Sequence, residues 1–377
     1  MKASNSNSSK IHTIQVIVGA SIALTLSLVA FLVLVQQPNG AEAQISLFAE
    51  RLPTFNEFKR LYGKIYASSQ EDARRERIFN KTLNKIDHHN RLYNDGKATY
   101  ALYPCEYSDM DEQEVATFLK GIVLPDDVLD PEEFNKTLAS GGNPRTRRQA
   151  SEGKEVLPET VDYRTSGCLS LPKDQKFCGS CWSQAVVSAI ETMKCMKSGR
   201  LETMSAQNLI DCANRKSGYK LDGCAGGMFP DALQYVINNN GIDDEECYPY
   251  GANDREACRY STKCKAGTVA TWRRIPPTEE ALKNALAKHG VVLAAIHSND
   301  DFFSYNSGVY DDPKCTNERA KINHGVLVVG YGSENGKDFW IVRNSWGYTW
   351  GEKGYMKLIR GKPNNCCINC YIYVIDV

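Results

Sequence analysis

The 377-residue chain lacks net charge: 45 Lys and Arg balance 45 Asp and Glu. It also lacks a basic stripe with interleaved aromatics. Neither a global nor a local field therefore points to nucleic acid or to an anionic membrane. No internal repeat is present. Histidine is scarce, with six in all, and beyond Pro158 only His289, His297 and His324 remain. Cysteine is the exception to this sparseness. Fourteen cysteines suit an oxidising compartment, or a chain of metal sites. The length exceeds one ordinary domain and allows a sizeable core.

The N-terminus favours the oxidising compartment. Lys2 and Lys10 precede an apolar run from Val16 to Val35, followed by Ala41-Glu42-Ala43, which has the shape of a signal-peptidase site. The run is long for a signal peptide and long enough to cross a bilayer, so residues 1–43 read as a cleaved signal or a signal anchor. From Phe55 to about Asn94, apolar residues recur at helical spacing and predict two amphipathic helices. A shorter helix is expected over 111–119. A stretch low in large apolar residues, from Lys136 to Pro158, reads as an exposed linker. Within it, Arg145, Arg147 and Arg148 form a basic cluster, either a processing site or a solvated charge run. Asn80 and Asn135 each begin an N-glycosylation sequon.

Beyond Pro158 the pattern changes. Residues 181–197 predict a helix with Ser180 as N-cap and Gly199 past its end. After about Val291, short β runs follow, with Asn335-Gly336 as a hairpin turn between two of them. The sum is an α+β chain in two lobes, helical then antiparallel β, and a cleft between lobes is a natural substrate site.

The segment "KFCGSCWSQ" allows three chemistries. A zinc site would pair Cys178-x-x-Cys181 with Cys367-x-x-Cys370 but leaves the remaining cysteines unexplained. A redox dithiol would follow a buried strand in a βαβ unit, and "LPKDQKF" is not such a strand. The third makes Cys181 a nucleophile at a helix start, where the dipole lowers the thiol pKa. It requires a histidine, and His324 lies within the window of roughly 130–150 residues expected downstream. His289 and His297 fall short of that window and read as structural or surface residues. Asn344, before Ser345-Trp346-Gly347, supplies an amide oxygen to orient the imidazole, and Trp346 a shield for that bond.

Together "QKFCGSCW", "NHGVLVVGYG" and "NSWGYTWGEKGY" resemble a papain-family cysteine protease of the cathepsin L-like group, over nearly everything after the leader. The resemblance implies a helical left lobe and an antiparallel β-barrel right lobe, preceded by a helical inhibitory propeptide, over residues 149–377 and 50–148. It implies Gln175 as an oxyanion donor with the Cys181 backbone N–H. Cys178 becomes a structural half-cystine, and the disulfides Cys178–Cys224, Cys212–Cys258 and Cys315–Cys366 are expected. Cys168–Cys195 and Cys247–Cys264 are proximity guesses; Cys367 competes with Cys366, and six extra cysteines allow 15 connectivities.

The propeptide motif matches at Glu71, Arg75, Phe79, Ile86 and Asn90, with Thr82 where Asn is usual. In the second propeptide motif only Tyr107 and Asp109 fit, and Cys105 replaces Asn. Lys176 replaces a usual Gly, and Ser183-Gln184 a usual small-then-aromatic pair. Pocket positions map to Met228, Phe229, Val292, Gly325 and Tyr371, implying a hydrophobic residue at P2, the second substrate position before the scissile bond. No paired histidines lie between Cys181 and Gly226, favouring endopeptidase over dipeptidase action. The expected product is a secreted zymogen, lysosomal or extracellular. It is expected to be a monomer with no cofactor or metal, and to meet peptide or protein substrates, its own propeptide and cystatin-type inhibitors. The alternative is a non-catalytic papain-fold binding protein, whose usual mark is a replaced nucleophile.

Overall fold

A computed structural model of the chain describes residues 51–118, 121–124, 130–139, 156–363 and 365–377. The Val16–Val35 run, the Ala41-Glu42-Ala43 site and the Arg145, Arg147 and Arg148 cluster lie outside them. No helix among the described residues is long and apolar enough to cross a membrane.

Two compact units divide between Lys64 and Ile65. The first contains α1 (Phe55–Tyr62). Thr54 and Glu57 form its capping box, and Gly63 closes it in the left-handed conformation at φ 62°.

The second unit opens with α2 (Ser69–Asn94), started by the Ser68 side chain and buried through Phe79 and Ile86. Strand β1 (Tyr100–Leu102) follows, held to α2 by Asn90, which donates to Leu102 O (2.8 Å) and accepts from Leu102 N (2.9 Å). Helix α3 (Glu112–Phe118) follows; residue 119, the end of the expected helix, lies outside the described residues. Helix α4 (Pro131–Ala139) extends into the stretch from Lys136 whose composition predicts a linker. Proline at its first position and the Asp130 carboxylate accepting from Glu132 N (2.8 Å) start it despite the polar sequence.

After β2 (Val161–Asp162), helix α5 (Cys181–Ser198) forms the centre, buried along most of its length and ended by Gly199 at φ 75°. Helices α6 (Ala206–Cys212) and α7 (Phe229–Asn238) pack beside it. Next come β3 (Ile242–Asp243), β4 (Lys265–Gly267), β5 (Thr271–Arg274), α8 (Glu279–Lys288), β6 (Val292–Ile296), α9 (Asp300–Phe303) and β7 (Tyr305–Tyr310). The chain finishes with β8 (His324–Glu334), β9 (Lys337–Arg343), β10 (Tyr355–Ile359) and β11 (Tyr371–Asp376). Helices thus precede strands, as the sequence pattern implies. Asn335 (φ 51°) and Gly336 (φ 74°) make the β8–β9 hairpin turn.

The expected antiparallel barrel is corrected. The strands run β1-β7-β10-β9-β8-β6-β11-β5, with β2 beside β8, and the β7–β10 pair is parallel. End strands β1 and β5 do not pair, whereas closure requires the first and last strands to complete the ladder. Strand β1, from the region that resembles a propeptide, occupies one edge, with Tyr100 opposite Gly308.

Candidate active site

The loop before α5 is pinned at several points. Gln175 N donates to Ser345 O (2.8 Å), Gly179 N to Cys224 O (2.9 Å), and Cys178 is bonded to Cys224. Lys176, which replaces the glycine usual there, sits at φ 53°. Ser180 precedes α5, but its hydroxyl does not cap the helix as expected. It bonds the Tyr250 hydroxyl (2.6 Å), which itself donates to Gln175 O (2.7 Å). Its ψ of 17° is outside the extended range that carries a capping oxygen to the third helical N–H. The first N–H groups of the helix therefore remain turned to the sulfur of Cys181.

Strand β8 starts with His324 and β9 ends one residue before Asn344, so the hairpin brings them together. His324 Nε2 lies 2.8 Å from Asn344 Oδ1, which also accepts from Ser345 N (2.8 Å). The Ser345 N–H, which can only donate, identifies that atom as the amide oxygen. His324 therefore carries its proton on Nε2, and Nδ1 faces the thiol chemistry. The Trp346 ring lies 4.7 Å from the imidazole and stacks on Phe303 at 4.5 Å, keeping water off the His–Asn bond. Gly325 N donates to Cys181 Sγ (3.2 Å), joining β8 to the head of α5. His289 and His297 lie elsewhere, beside Arg273 and Thr316 N respectively.

Gln175 is fully buried; its Nε2 donates to Cys178 O (2.9 Å) and its Oε1 accepts from Ser345 Oγ (2.7 Å). These bonds hold the amide at the α5 N-terminus. The sequence assigns no role to Ser345 or Tyr250, which hold it; Ser345 lies inside the NSWG motif, whereas nothing around Tyr250 distinguishes it.

Cys181 is wholly buried because residues 121–124 cross it. Ile122 N donates to Asn323 O (3.1 Å), Gly227 N to Gly121 O (2.9 Å), and Ile122 bridges Gly227 in parallel. Burial pushes the thiol up to about 11, against the pull of backbone N–H groups from Gly325, Gly121, Trp182 and Cys181 itself. The crossing chain thus presents the Gly121 N–H to the sulfur.

Ile122 packs where a Gly325 side chain would stand: a Cβ there would meet Ile122 Cδ1 at 3.1 Å and Phe229 at 3.2 Å. Phe229, Met228 and Tyr371 share one buried cluster with Ile122. Val292 is a correction. Gly325 pairs with Ala295, and strand alternation turns Val292 to the opposite face of β6, outside that cluster. Ala295, opposite Gly325, belongs to the cluster instead.

The cysteines pair as Cys168–Cys195, Cys178–Cys224, Cys212–Cys258, Cys247–Cys264, Cys315–Cys366 and Cys367–Cys370. The last bond was not anticipated. It and Cys178–Cys224 consume the sulfurs that a zinc site or a Cys178–Cys181 dithiol would need. Cys105 and Cys181 remain thiols.

The partial second propeptide motif still docks. Asp109 is buried and accepts from the Tyr66 hydroxyl, and Tyr107 meets Phe177 edge-on at 5.8 Å. Arg75 reaches Asp109 O (3.0 Å) and Glu114 (2.7 Å).

Fold and site together define a thiol hydrolase held shut by its own N-terminal segment. The papain family cysteine protease model matches residues 157–375, and the cathepsin propeptide inhibitor model matches residues 55–115. The chain belongs to the papain family of cysteine proteases and carries a cathepsin-type inhibitory propeptide. It is 40% identical to cathepsin S of Bos taurus, over 83% of this chain and 89% of that protein. It is 37% identical to a cathepsin L-like peptidase of Aedes aegypti, over 87% and 94%. Among solved structures it resembles digestive procathepsin L 3 of Tenebrio molitor larval midgut: TM-score 0.74, 33% identity, covering 86% of this chain and 98% of that one.

Proposed function

We propose that residues 1–43 direct export, that residues 50–148 are removed, and that residues 149–377 then act as an endopeptidase. Cys181 attacks the substrate carbonyl, its proton passing to His324 Nδ1. The oxyanion is met by Gln175 Nε2–H and the Cys181 N–H. His324 returns the proton to the leaving amine, giving a thioester on Cys181. A water, deprotonated by His324, releases the acid and restores the thiol. Asn344 Oδ1 holds the imidazole through both halves.

The observation that carries this reading is the convergence of Cys181 Sγ on Gly325 N at 3.2 Å with His324 held by Asn344 at 2.8 Å. The placement of Ile122 against Phe229 and Gly325 supports a hydrophobic P2 residue. Solvent exposure of Asn80 and Asn135 supports their glycosylation. The disulfides support passage through an oxidising compartment, ending in the lysosome or outside the cell. The Arg145, Arg147 and Arg148 cluster is the proposed processing site, and cystatin-type inhibitors would enter the cleft that residues 121–124 fill.

The test is hydrolysis of peptides with Leu, Val or Phe at P2 by the processed protein, compared with Asn344→Ala. The reading expects a fall in kcat of about 10–1,000-fold with KM little changed. Equal kcat in the two proteins would refute the role of Asn344.

A further inference from the structure

Helix α4 belongs to neither family match, since the inhibitor match ends at residue 115 and the protease match begins at 157. It docks on the protease region all the same. Phe134, the only aromatic residue between Phe118 and Tyr163, is partly buried, and the Arg274 guanidinium lies 4.2 Å from its ring centre. The same guanidinium lies 4.6 Å from the ring centre of Tyr371. Both ends of the arginine are fixed: its backbone stands opposite Tyr373 on the β5–β11 ladder, and Nη2 donates to Cys370 O (3.2 Å). A guanidinium suits this place because it is planar, delocalised and weakly hydrated, and so stacks on ring faces as an ammonium does not.

Tyr371 shares the buried cluster of Phe229 and Ile122, and Ile122 fills the proposed P2 pocket. Arg274 therefore joins the wall of that pocket to α4. Chain order agrees with this placement: Gly121 faces the Cys181 sulfur, Ile122 follows in the pocket, and Phe134 comes later, beyond both. A segment that blocks a cleft lies on surfaces a substrate uses, so the seat of Phe134 is open to a substrate side chain once α4 leaves. Burial pulls the pKa of Arg274 down by penalising its charge, and a stacked ring offsets that penalty. Asp130, at the head of α4, adds a carboxylate whose field reaches both Arg274 and Tyr371.

We propose that Arg274 forms an additional substrate subsite, upstream of P2, which takes an aromatic side chain by stacking, and that Phe134 occupies it in the precursor. The subsite selects peptides with an aromatic residue some way before the scissile bond. Its effect on hydrolysis rests on the peptidase function proposed above; its effect on peptide binding does not.

The experiment measures binding to Cys181→Ala whose propeptide has been removed by an added protease. The probes are peptides with Leu at P2 and Phe, Leu or Ala at each position further upstream. At one position Phe should bind about 3–10-fold more tightly than Leu, which separates stacking from plain apolar burial. Arg274→Lys, which keeps the charge and loses the plane, should bring that ratio to about one. A crystal structure of the Phe peptide complex locates the ring without any change at Arg274, and should show it on the guanidinium. Equal affinities for Phe and Leu at every position would overturn the proposal. So would a preference that survives Arg274→Lys, or a ring seated elsewhere. The wild-type enzyme should show the same Phe-over-Leu ratio in kcat/KM. Failure to cleave any of the peptides would refute the peptidase function and leave the binding result to decide the subsite.

Discussion

The backbone N–H of Gly121 faces the sulfur of Cys181. Glycine is required there by contact. A Cβ on residue 121 would fall 1.8 Å from Gly179 O, in the loop that leads into α5. The propeptide therefore passes the loop before α5 at a distance only glycine permits.

Gly121→Ala should force the crossing segment away from Gly179. The isolated propeptide carrying it should inhibit the processed enzyme about tenfold or more less tightly, a difference of ~1.4 kcal/mol or more. Inhibition constants for the two propeptides check this; equal constants would contradict the close passage.

The precursor's thiol should be sluggish. Burial under residues 121–124 pushes Cys181 up to about 11 from an ordinary 9.0. Because burial penalises the thiolate, the sign reverses when those residues leave and solvent and His324 reach the sulfur. Iodoacetamide at neutral pH should label the processed enzyme about a hundredfold or more faster than the intact precursor, two pKa units being two decades of thiolate. Similar rates would show that the thiol is not covered.

Acid should loosen the propeptide at one ionic cluster. Arg74 and Arg75 meet Glu71, Asp111 and Glu114. The Glu114 N–H, followed by Arg74, holds Asp111 below its usual range. Burial pushes Glu114 up, but Arg75, the Asp111 N–H and Arg74 outweigh it and hold it low. Depressed carboxylates contribute stability above their ordinary values of 3.8 and 4.5, lost as pH falls through the lower folded values. Glu114→Gln removes that contribution at every pH, so self-processing should begin about one pH unit higher. Processing followed across pH tests this; an unchanged profile would remove the cluster as the trigger.

The pocket prediction concerns Gly325. Gly325→Val puts methyl groups into the space held by Ile122 and Phe229. The ratio of kcat/KM for Leu over Ala at P2 should fall about 10–200-fold. A preserved ratio would place the P2 pocket elsewhere.

Much of this site was legible in the sequence because its chemistry is local. Cys181 opens a helix, His324 opens a strand, and Asn344 follows the paired strand, so short motifs fixed them. What escaped depended on parity, partners or closure. Val292 and Ala295 are both small, apolar and buried, and only the Gly325–Ala295 register decides which faces the pocket. Ser180 reads as an N-cap until Tyr250, distant in sequence, takes its hydroxyl. The strand pattern supports a sheet but cannot tell an open edge from a closed barrel. Cys367–Cys370 was hidden among several equivalent pairings. Residues 121–124 carry only a glycine and three aliphatic side chains, and their meaning lies in what they touch.

The central claim is that Cys181 cleaves peptide bonds once the segment over it is gone. The most direct measurement is mild acidification of the full-length protein, wild type beside Cys181→Ala, following propeptide loss and hydrolysis of a hydrophobic-P2 peptide. The account predicts both in the wild type and neither in the variant. A wild-type protein that loses its propeptide yet leaves such peptides intact would contradict it.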